Sequence, residues 1–530
     1  MKPAPLGQTT PDGASSAIGE TSQPHADGPS APARNFDAEL TDLVHPPGWR
    51  NPQPAPTYDL VVIGGGTAGL VSAVGAAGLG ARVALIERHL LGGDCLNTGC
   101  VPSKAIIRSA RVIGEVRRAA GLGVTVGTPI VDFSAVMQRM RARRAGIAVN
   151  DSAERLRTAG VDVFFGSAAF ADDRTIVVDG RQHLRFNRAV IATGGRAAAP
   201  PIPGLDRLPF LTNETIFSLT VLPRRLLVIG AGPIGCEMAQ TFARFGSNVT
   251  ILDQAPQVLP REDADAAAIV RRSLEADGVR LELGATLERV DGHPGQLRVH
   301  YARSGQDADA RESVSGDALL VAAGRAPNLE GLQLEAAWIA ATRAGVTVND
   351  RLQTSNRRVY ASGDVCSIYK FTHAADALSR IVIQNALFYG RRKASALVIP
   401  WTTYTDPEVA HVGVSGADVA KAGGRLETIT VPLADVDRAI VDDETEGFVR
   451  VHHERGRLRG CTIVAPHAGE MIGEAVFAIT RGAGLAELSA TVHPYPTQAE
   501  ALRKAGDLYR RQSLTPRVRR WFERYFAVTR

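Results

Sequence analysis

The sequence predicts an α/β fold made of two parallel-sheet units and a separate C-terminal α+β domain. Three observations predict it. An apolar run from Tyr58 to Ile63 leads into Gly64-Gly-Gly-Thr-Ala-Gly69, a small-residue helix from Leu70 to about Leu79, and a second apolar run, Arg82 to Glu87. The same order returns at Arg225–Ile229, Gly230-Ala-Gly-Pro-Ile-Gly235 and Asn248–Asp253. From about Trp401 the pattern changes to alternating strands, such as Gly447-Phe-Val-Arg-Val-His452, mixed with helices.

Each of the first two units reads as strand, glycine turn, helix, strand, with an acid closing the second strand. That is a Rossmann-like, dinucleotide-binding arrangement. A lone GxGxxG means little, but both matches here sit between a strand and a helix. Gly64 and Gly230 permit the tight turn, Gly66 and Gly232 let backbone approach a pyrophosphate, and Gly69 and Gly235 let helix pack on strand. The helix N-terminus then offers N–H donors and a positive dipole end. Glu87 and Asp253 stand where ribose hydroxyls would be accepted. A carboxylate at 253 repels a 2′-phosphate, and the nearest basic residue is Arg261, so NADH is favoured over NADPH.

Composition narrows the classes. Hydrophobic residues make up 45% and charged residues 22% of 530, which excludes global disorder. A net charge of +5 is mild for this length and argues against nucleic acid as a partner. No apolar run reaches membrane-spanning length, no secretory signal pattern opens the chain, and five cysteines make no disulfide framework. The cytoplasm is the expected location. Residues 1–45 read as a disordered tail, Asn51 to Pro56 as a stiff linker, and order is expected from Tyr58. A helix is predicted from Phe133 to about Leu156, its arginines forming a solvated face.

The stretch Gly92-Gly-Asp-Cys95-Leu-Asn-Thr-Gly-Cys100-Val-Pro-Ser-Lys104 carries the most chemistry. Two cysteines this close can close a small disulfide loop, and Cys100 falls near a helix start that would stabilise a thiolate. Structural zinc requires a second pair, which the chain lacks. Cys236, Cys366 and Cys461 have no such arrangement and read as small buried residues.

With Ala192-Thr193-Gly194-Gly195, Gly324-Arg325-x-Pro327-Asn328 and Ala361-Ser362-Gly363-Asp364-Val365, these motifs make the sequence resemble the class I pyridine nucleotide–disulfide oxidoreductase family over about residues 56–512. The resemblance implies FAD on the first glycine loop and NAD(P)H on the second. It implies an FAD-binding domain in two parts, 56–200 and 329–398, an NAD(P)-binding domain at 201–328, a dimerisation domain at 399–512, and a homodimer. It implies that Asp364 holds the ribityl–phosphate region, that Cys100 is the sulfur nearest the flavin and Cys95 the interchange thiol, and that Lys104 and Glu237 pair beside the flavin.

The family's C-terminal motif, His-x-His-Pro-Thr-x-x-Glu, is altered. Here it reads His493-Pro-Tyr495-Pro-Thr-Gln-Ala-Glu500, with tyrosine where the family has its acid/base histidine. A tyrosine near pKa 10 is ionised in only about one molecule in a thousand at neutral pH. Tyr495 is thus a poor proton shuttle for a dithiol. It could still hydrogen-bond a thiolate or approach a bound metal, and His493 stands two residues away. Mercuric reductases resemble the chain in carrying this tyrosine, and two soft thiolates at Cys95 and Cys100 suit transient binding of Hg(II) as substrate. The N-terminal metal-binding module and the C-terminal cysteine pair of typical mercuric reductases are missing. The resemblance thus implies reduction of Hg(II) or a related soft metal, with a dihydrolipoamide dehydrogenase-like disulfide reductase as the rival and a quinone or oxygen reductase as the weaker third. The tail 513–530 places Val518, Trp521, Phe522, Tyr525 and Phe526 at helical spacing among arginines. Packing on the dimer is the favoured reading and membrane contact the lesser one.

Overall fold

The computed structural model describes residues 34–303, 311–512 and 514–530. The first element is one the sequence reading missed. Helix α1 (Phe36–Val44) buries Leu40 and Val44 against the first α/β unit, so residues 36–45 are not a disordered tail. Residues 1–33 lie outside the described residues. The proline-rich segment after α1 is no free linker, and order does not wait for Tyr58.

The first unit continues with β1 (Tyr58–Ile63), α2 (Thr67–Gly78), β2 (Val83–Glu87), α3 (Gly93–Asn97), α4 (Cys100–Arg118), α5 (Phe133–Ala148), α6 (Ala153–Thr158) and β3 (Val161–Phe165). Three further strands follow, β4 (Ala168–Phe170), β5 (Thr175–Val178) and β6 (Gln182–Ile191). The sheet runs β3-β2-β1-β6-β5-β4. Strands β3, β2, β1 and β6 are mutually parallel, so the glycine loop after β1 opens at the carboxyl ends of the strands. Strand β3 is an edge, and the chain before β1 covers it. Asn51 exchanges 2.8 Å hydrogen bonds with the Phe165 backbone in both directions, and the Trp49 indole N–H donates to Val163 O at 3.1 Å.

The long helix expected over 133–156 is broken. It ends at Ala148, passes through a short 3₁₀ turn and restarts after Ser152, whose hydroxyl caps α6. Its arginines do not all face water. Arg141 and Arg144 turn inward and pair with Asp37 of α1, and Arg144 also donates to Asn97 O at 2.9 Å. The unforeseen helix supplies the carboxylate that makes burial tolerable.

A short strand β7 (Gly195–Ala197) leads to the second unit, which contains β8 (Arg225–Ile229), α7 (Pro233–Phe245), β9 (Asn248–Asp253), α8 (Ala264–Ala276) and β10 (Arg280–Leu283). An antiparallel meander, β11 (Ala285–His293), β12 (Gln296–Arg303) and β13 (Arg311–Gly316), precedes β14 (Ala318–Val321). The parallel sheet is β10-β9-β8-β14. Strand β15 (Arg325–Pro327) then pairs antiparallel with β7, and a small hairpin, β16 (Ala341–Thr342) with β17 (Gly345–Val346), follows. Strand β18 (Val359–Ala361) rejoins the first sheet beside β6, and α9 (Thr372–Leu387) packs on α2 through Ile383 against Gly75.

The last domain is a five-stranded antiparallel sheet, β19 (Trp401–Thr403), β20 (Glu408–Gly413), β21 (Glu427–Pro432), β22 (Phe448–Glu454) and β23 (Arg457–Ala465), in the order β19-β20-β23-β22-β21. Its helices are α10 (Gly416–Lys421), α11 (Asp437–Val441), α12 (Ala468–Arg481), α13 (Leu485–Ala490) and α14 (Glu500–Gln512). The chain closes with α15 (Pro516–Thr529), of which no residue is buried. Among the described residues no helix is long and apolar enough to cross a membrane.

The packed state of α1 is testable. Leu40→Ala should weaken its docking by about 2 kcal/mol or more, as for buried leucines elsewhere. Faster amide hydrogen exchange in α1 and along β3 would report this, and unchanged exchange would show that the helix is not held by its apolar face.

Candidate active site

The two glycine loops explain themselves residue by residue. Gly64 and Gly230 take φ of +105° and +110°, and a Cβ at either would press on a backbone carbonyl, Ala192 O or Ala322 O. A Cβ at Gly69 would sit 1.7 Å from Gly64 O and one at Gly235 1.9 Å from Gly230 O, so only glycine lets helix meet turn. Gly66 and Gly232 are different. Their φ of −79° and −75° suits any residue, and a Cβ would make ordinary contact at Gly66 and meet no protein atom within 4 Å at Gly232. Neither strain nor packing within the chain requires glycine there. The helices that follow lack a side-chain cap. A cradle that a Cβ would fill, in front of uncapped helix N-termini, fits a dinucleotide pyrophosphate at both loops.

The acids do more than the sequence suggested. Glu87 accepts from the backbone N–H of Gly65 and, at 2.7 Å, of His89; Asp253 accepts from Ala231 at 2.6 Å and Ala255 at 2.7 Å. Each carboxylate ties down its own glycine loop. Beside Glu87 and Gly64 a cavity of about 160 Å³ also reaches Gly166, Thr193 and Asn328.

Two motifs far apart in sequence form one structure. The Thr193 hydroxyl donates to Asn328 O at 2.7 Å, the Asn328 amide returns a bond to Thr193 O at 2.9 Å, and Asn328 N–H donates to Gly194 O at 3.0 Å. A Cβ at Gly324 would barely reach Ala198, so nothing in the chain crowds it. Arg325, on β15, bridges Asp94 of the cysteine segment and Asp364, 3.3 Å away. Burial pushes the Asp364 carboxyl up, with Arg325 and Lys370 opposing.

The cysteines sit at a helix start. Cys95 lies in α3, and Cys100 is the first residue of α4. Cys95 is half-buried, Cys100 is exposed, and both are free thiols that hydrogen-bond to each other. The Cys95 thiol donating to it holds the Cys100 thiol below its ordinary pKa. The Thr372 hydroxyl, 3.5 Å from the sulfur, and the Lys104 ammonium help. The neighbouring Cys100 sulfur and burial push Cys95 up. The pair thus favours negative charge on Cys100, at the positive end of a helix, over Cys95.

Lys104, one turn on, reaches across to α7 and pairs with Glu237 at 2.9 Å. The other Glu237 oxygen accepts from Tyr404 N–H at 2.9 Å, and the ammonium lies 4.3 Å over the Tyr404 ring. Burial opposes the Lys104 charge, but Glu237 outweighs it and raises the pKa. Tyr404 and Thr372 were invisible to sequence reasoning, because each follows an ordinary strand or loop and meets the site only through the fold. Among the described residues no three His, Cys, Asp or Glu side chains are grouped to hold a metal ion.

The C-terminal motif is not brought to the cysteines within one chain. Tyr495 is exposed, and its hydroxyl donates to Asp437 at 3.0 Å, a bond that raises its pKa. The His493 ring is engaged with Glu474 at 3.0 Å. Glu500 is buried at the start of α14, paired through one oxygen with Arg503; its other oxygen has no hydrogen-bond partner among the described residues. Cys236 and Cys461 are buried and Cys366 is half-buried, away from this chemistry.

This assembly has relatives. Residues 58–378 match the pyridine nucleotide-disulphide oxidoreductase family, and residues 399–506 match its dimerisation domain. The chain belongs to this family. As an oxidoreductase of this family it shares the family's use of FAD and a pyridine nucleotide. It is 34% identical to the mercuric reductase of Staphylococcus aureus over 451 residues, covering 84% of this chain and 82% of that protein. It is 33% identical to the dihydrolipoyl dehydrogenase of Thermus scotoductus over 475 residues, covering 86% and 98%. Among solved structures, the Cu(II) complex of the HOCl-induced flavoprotein disulfide reductase RclA from Escherichia coli is similar, with a TM-score of 0.74 at 30% identity, covering 84% of this chain and 98% of that one.

The field at Cys100 yields a prediction. Lys104→Met removes a cation that favours the thiolate, so Cys100 should titrate at higher pH. The pH dependence of iodoacetamide labelling on reduced, flavin-loaded protein reads this directly, and an unmoved profile would contradict the assignment.

Proposed function

We propose that the protein is an NAD(P)H-driven reductase of a thiophilic metal ion, with Hg(II) as the leading substrate and NADH the favoured donor. The observation that carries this reading is the state of the C-terminal motif. A disulfide or dithiol substrate needs a group that moves a proton at the attacked sulfur. The position that serves this in the family holds Tyr495, whose hydroxyl is committed to Asp437 and pushed up in pKa. His493 is committed to Glu474, and Glu500 keeps a buried oxygen without a partner. A metal ion needs no such group. It needs two soft ligands, and Cys95 and Cys100 provide them.

Gly64, Gly66, Gly69, Glu87, Thr193, Gly194 and Asp364 would hold FAD, and Gly230, Gly232, Gly235, Asp253 and Gly324 would hold the nicotinamide dinucleotide. A bound flavin supplies two-electron transfer between nicotinamide and acceptor. The chain's residues do the rest. Cys100, whose thiol ionises the more readily of the two, takes the ion first. Cys95 then loses its proton to solvent and closes a two-sulfur complex, so binding releases protons and strengthens as pH rises. Lys104 and Glu237 fix the first turn of α4 under the site. The overall balance is NADH + Hg(II) → NAD⁺ + H⁺ + Hg(0). In a homodimer built through the dimerisation domain, Tyr495 of one chain would approach the cysteine pair of the other. The mercuric reductase and the Cu(II) complex of RclA support a metal substrate. The dihydrolipoyl dehydrogenase relative supports the alternative, a disulfide reductase using His493.

The test is the initial rate of NADH oxidation by flavin-loaded protein with and without Hg(II), in excess small thiol. A saturable Hg(II)-dependent rate, lost in Cys95→Ala and in Cys100→Ala, is expected. A flat rate with lipoamide or another disulfide turned over instead would overturn the reading. Conversely, Tyr495→His should give Glu500 a partner and raise disulfide reduction by about tenfold or more; no gain would show that position 495 does not limit that reaction.

A further inference from the structure

Helix α15 lies beyond the matched dimerisation domain, which ends at residue 506. Trp521, Phe522, Tyr525 and Phe526 on it are exposed, as is Val528. The rings form a continuous ridge, Trp521 stacked on Tyr525 at 6.0 Å and Phe522 on Phe526 at 6.4 Å. Among the described residues the ion pair and side-chain hydrogen bonds of the helix stay within the segment 515–529.

At 100° per residue, Val518, Trp521, Phe522, Tyr525 and Phe526 share one face. Arg517 and Arg519 stand at its two borders, and Arg520 and Arg524 lie on the opposite side. Arg530 adds a fifth cation, against the single acid Glu523.

We propose that α15 is an in-plane anchor that docks the enzyme on an anionic phospholipid surface. The apolar arc would sink into the headgroup boundary, where tryptophan and tyrosine are favoured, while the border arginines extend their stems along it and keep their heads at the phosphates. Charge selects this occupant. A second copy would bring the same five arginines to a two-fold contact, and protein interface cores are depleted in charge. A neutral lipid would leave the arginines unused. A homodimer would present two such helices and gain avidity.

The test is flotation of the full-length, flavin-loaded enzyme with phosphatidylcholine vesicles, with and without phosphatidylglycerol. Binding to the anionic vesicles alone is expected. Trp521→Ser/Phe522→Ser should weaken it at least about tenfold, and Arg517→Glu/Arg519→Glu more, since each cation near the surface contributes about fivefold. Flavin content and NADH oxidation should stay unchanged, because these side chains touch no part of the active site. Failure to float, or flotation that the variants do not weaken, would overturn the proposal. So would loss of the dimer on deleting 514–530 without any vesicle binding, which would make a second copy the occupant. Binding of the helix to a single-stranded oligonucleotide in preference to vesicles would overturn it as well.

Discussion

The ion pair between Lys104 and Glu237 is the contact on which the site depends. Lys104 belongs to the helix that starts with Cys100, Glu237 to the helix that follows the second glycine loop, and Tyr404, which holds the other Glu237 oxygen, to the third domain. Three domains therefore meet at one carboxylate that is 5% exposed. Removing Lys104 is costly, because it leaves the Glu237 carboxylate charged and buried. The pair's rigidity fixes the first turn of α4, and with it the sulfur of Cys100.

From that fixed turn the chemistry follows. A helix N-terminus, a nearby ammonium and a neighbouring thiol donor all favour negative charge on Cys100 over Cys95. Two sulfurs so placed suit the proposed capture of a cation that binds thiolates. The network Asp94–Arg325–Asp364 ties the cysteine segment to the strand that returns to the first sheet. The site is thus built from helix starts at the carboxyl ends of two parallel sheets, with these ion pairs set above an apolar cluster that joins α4, α7 and the third domain.

Much of this was legible in the sequence. Both glycine loops and the acids after them were visible because backbone geometry at Gly64, Gly69, Gly230 and Gly235 tolerates no other residue. The cysteine segment was visible through its spacing and the helix start. The element missed, α1, carries a readable signal: Phe36, Leu40, Leu43 and Val44 recur at helical spacing. Its short length and the prolines around it hid that signal. The inward turn of Arg141 and Arg144 was not legible, since it depends on Asp37 arriving from a helix a hundred residues away in sequence. Thr372 and Tyr404 reach the site only by tertiary placement, and no local pattern marks them. The break after Ala148 was written in Asn150-Asp151-Ser152, a capping sequence inside what read as one periodic helix.

In the proposed function Cys95 and Cys100 together capture the metal ion. Stoichiometric titration of the reduced protein with Hg(II), followed by alkylation and peptide mapping, tests it most directly. One tightly held ion per chain is expected, with both Cys95 and Cys100 protected and protons released on uptake. Uptake that persists when both are replaced by alanine, or protection of only one of them, would contradict it.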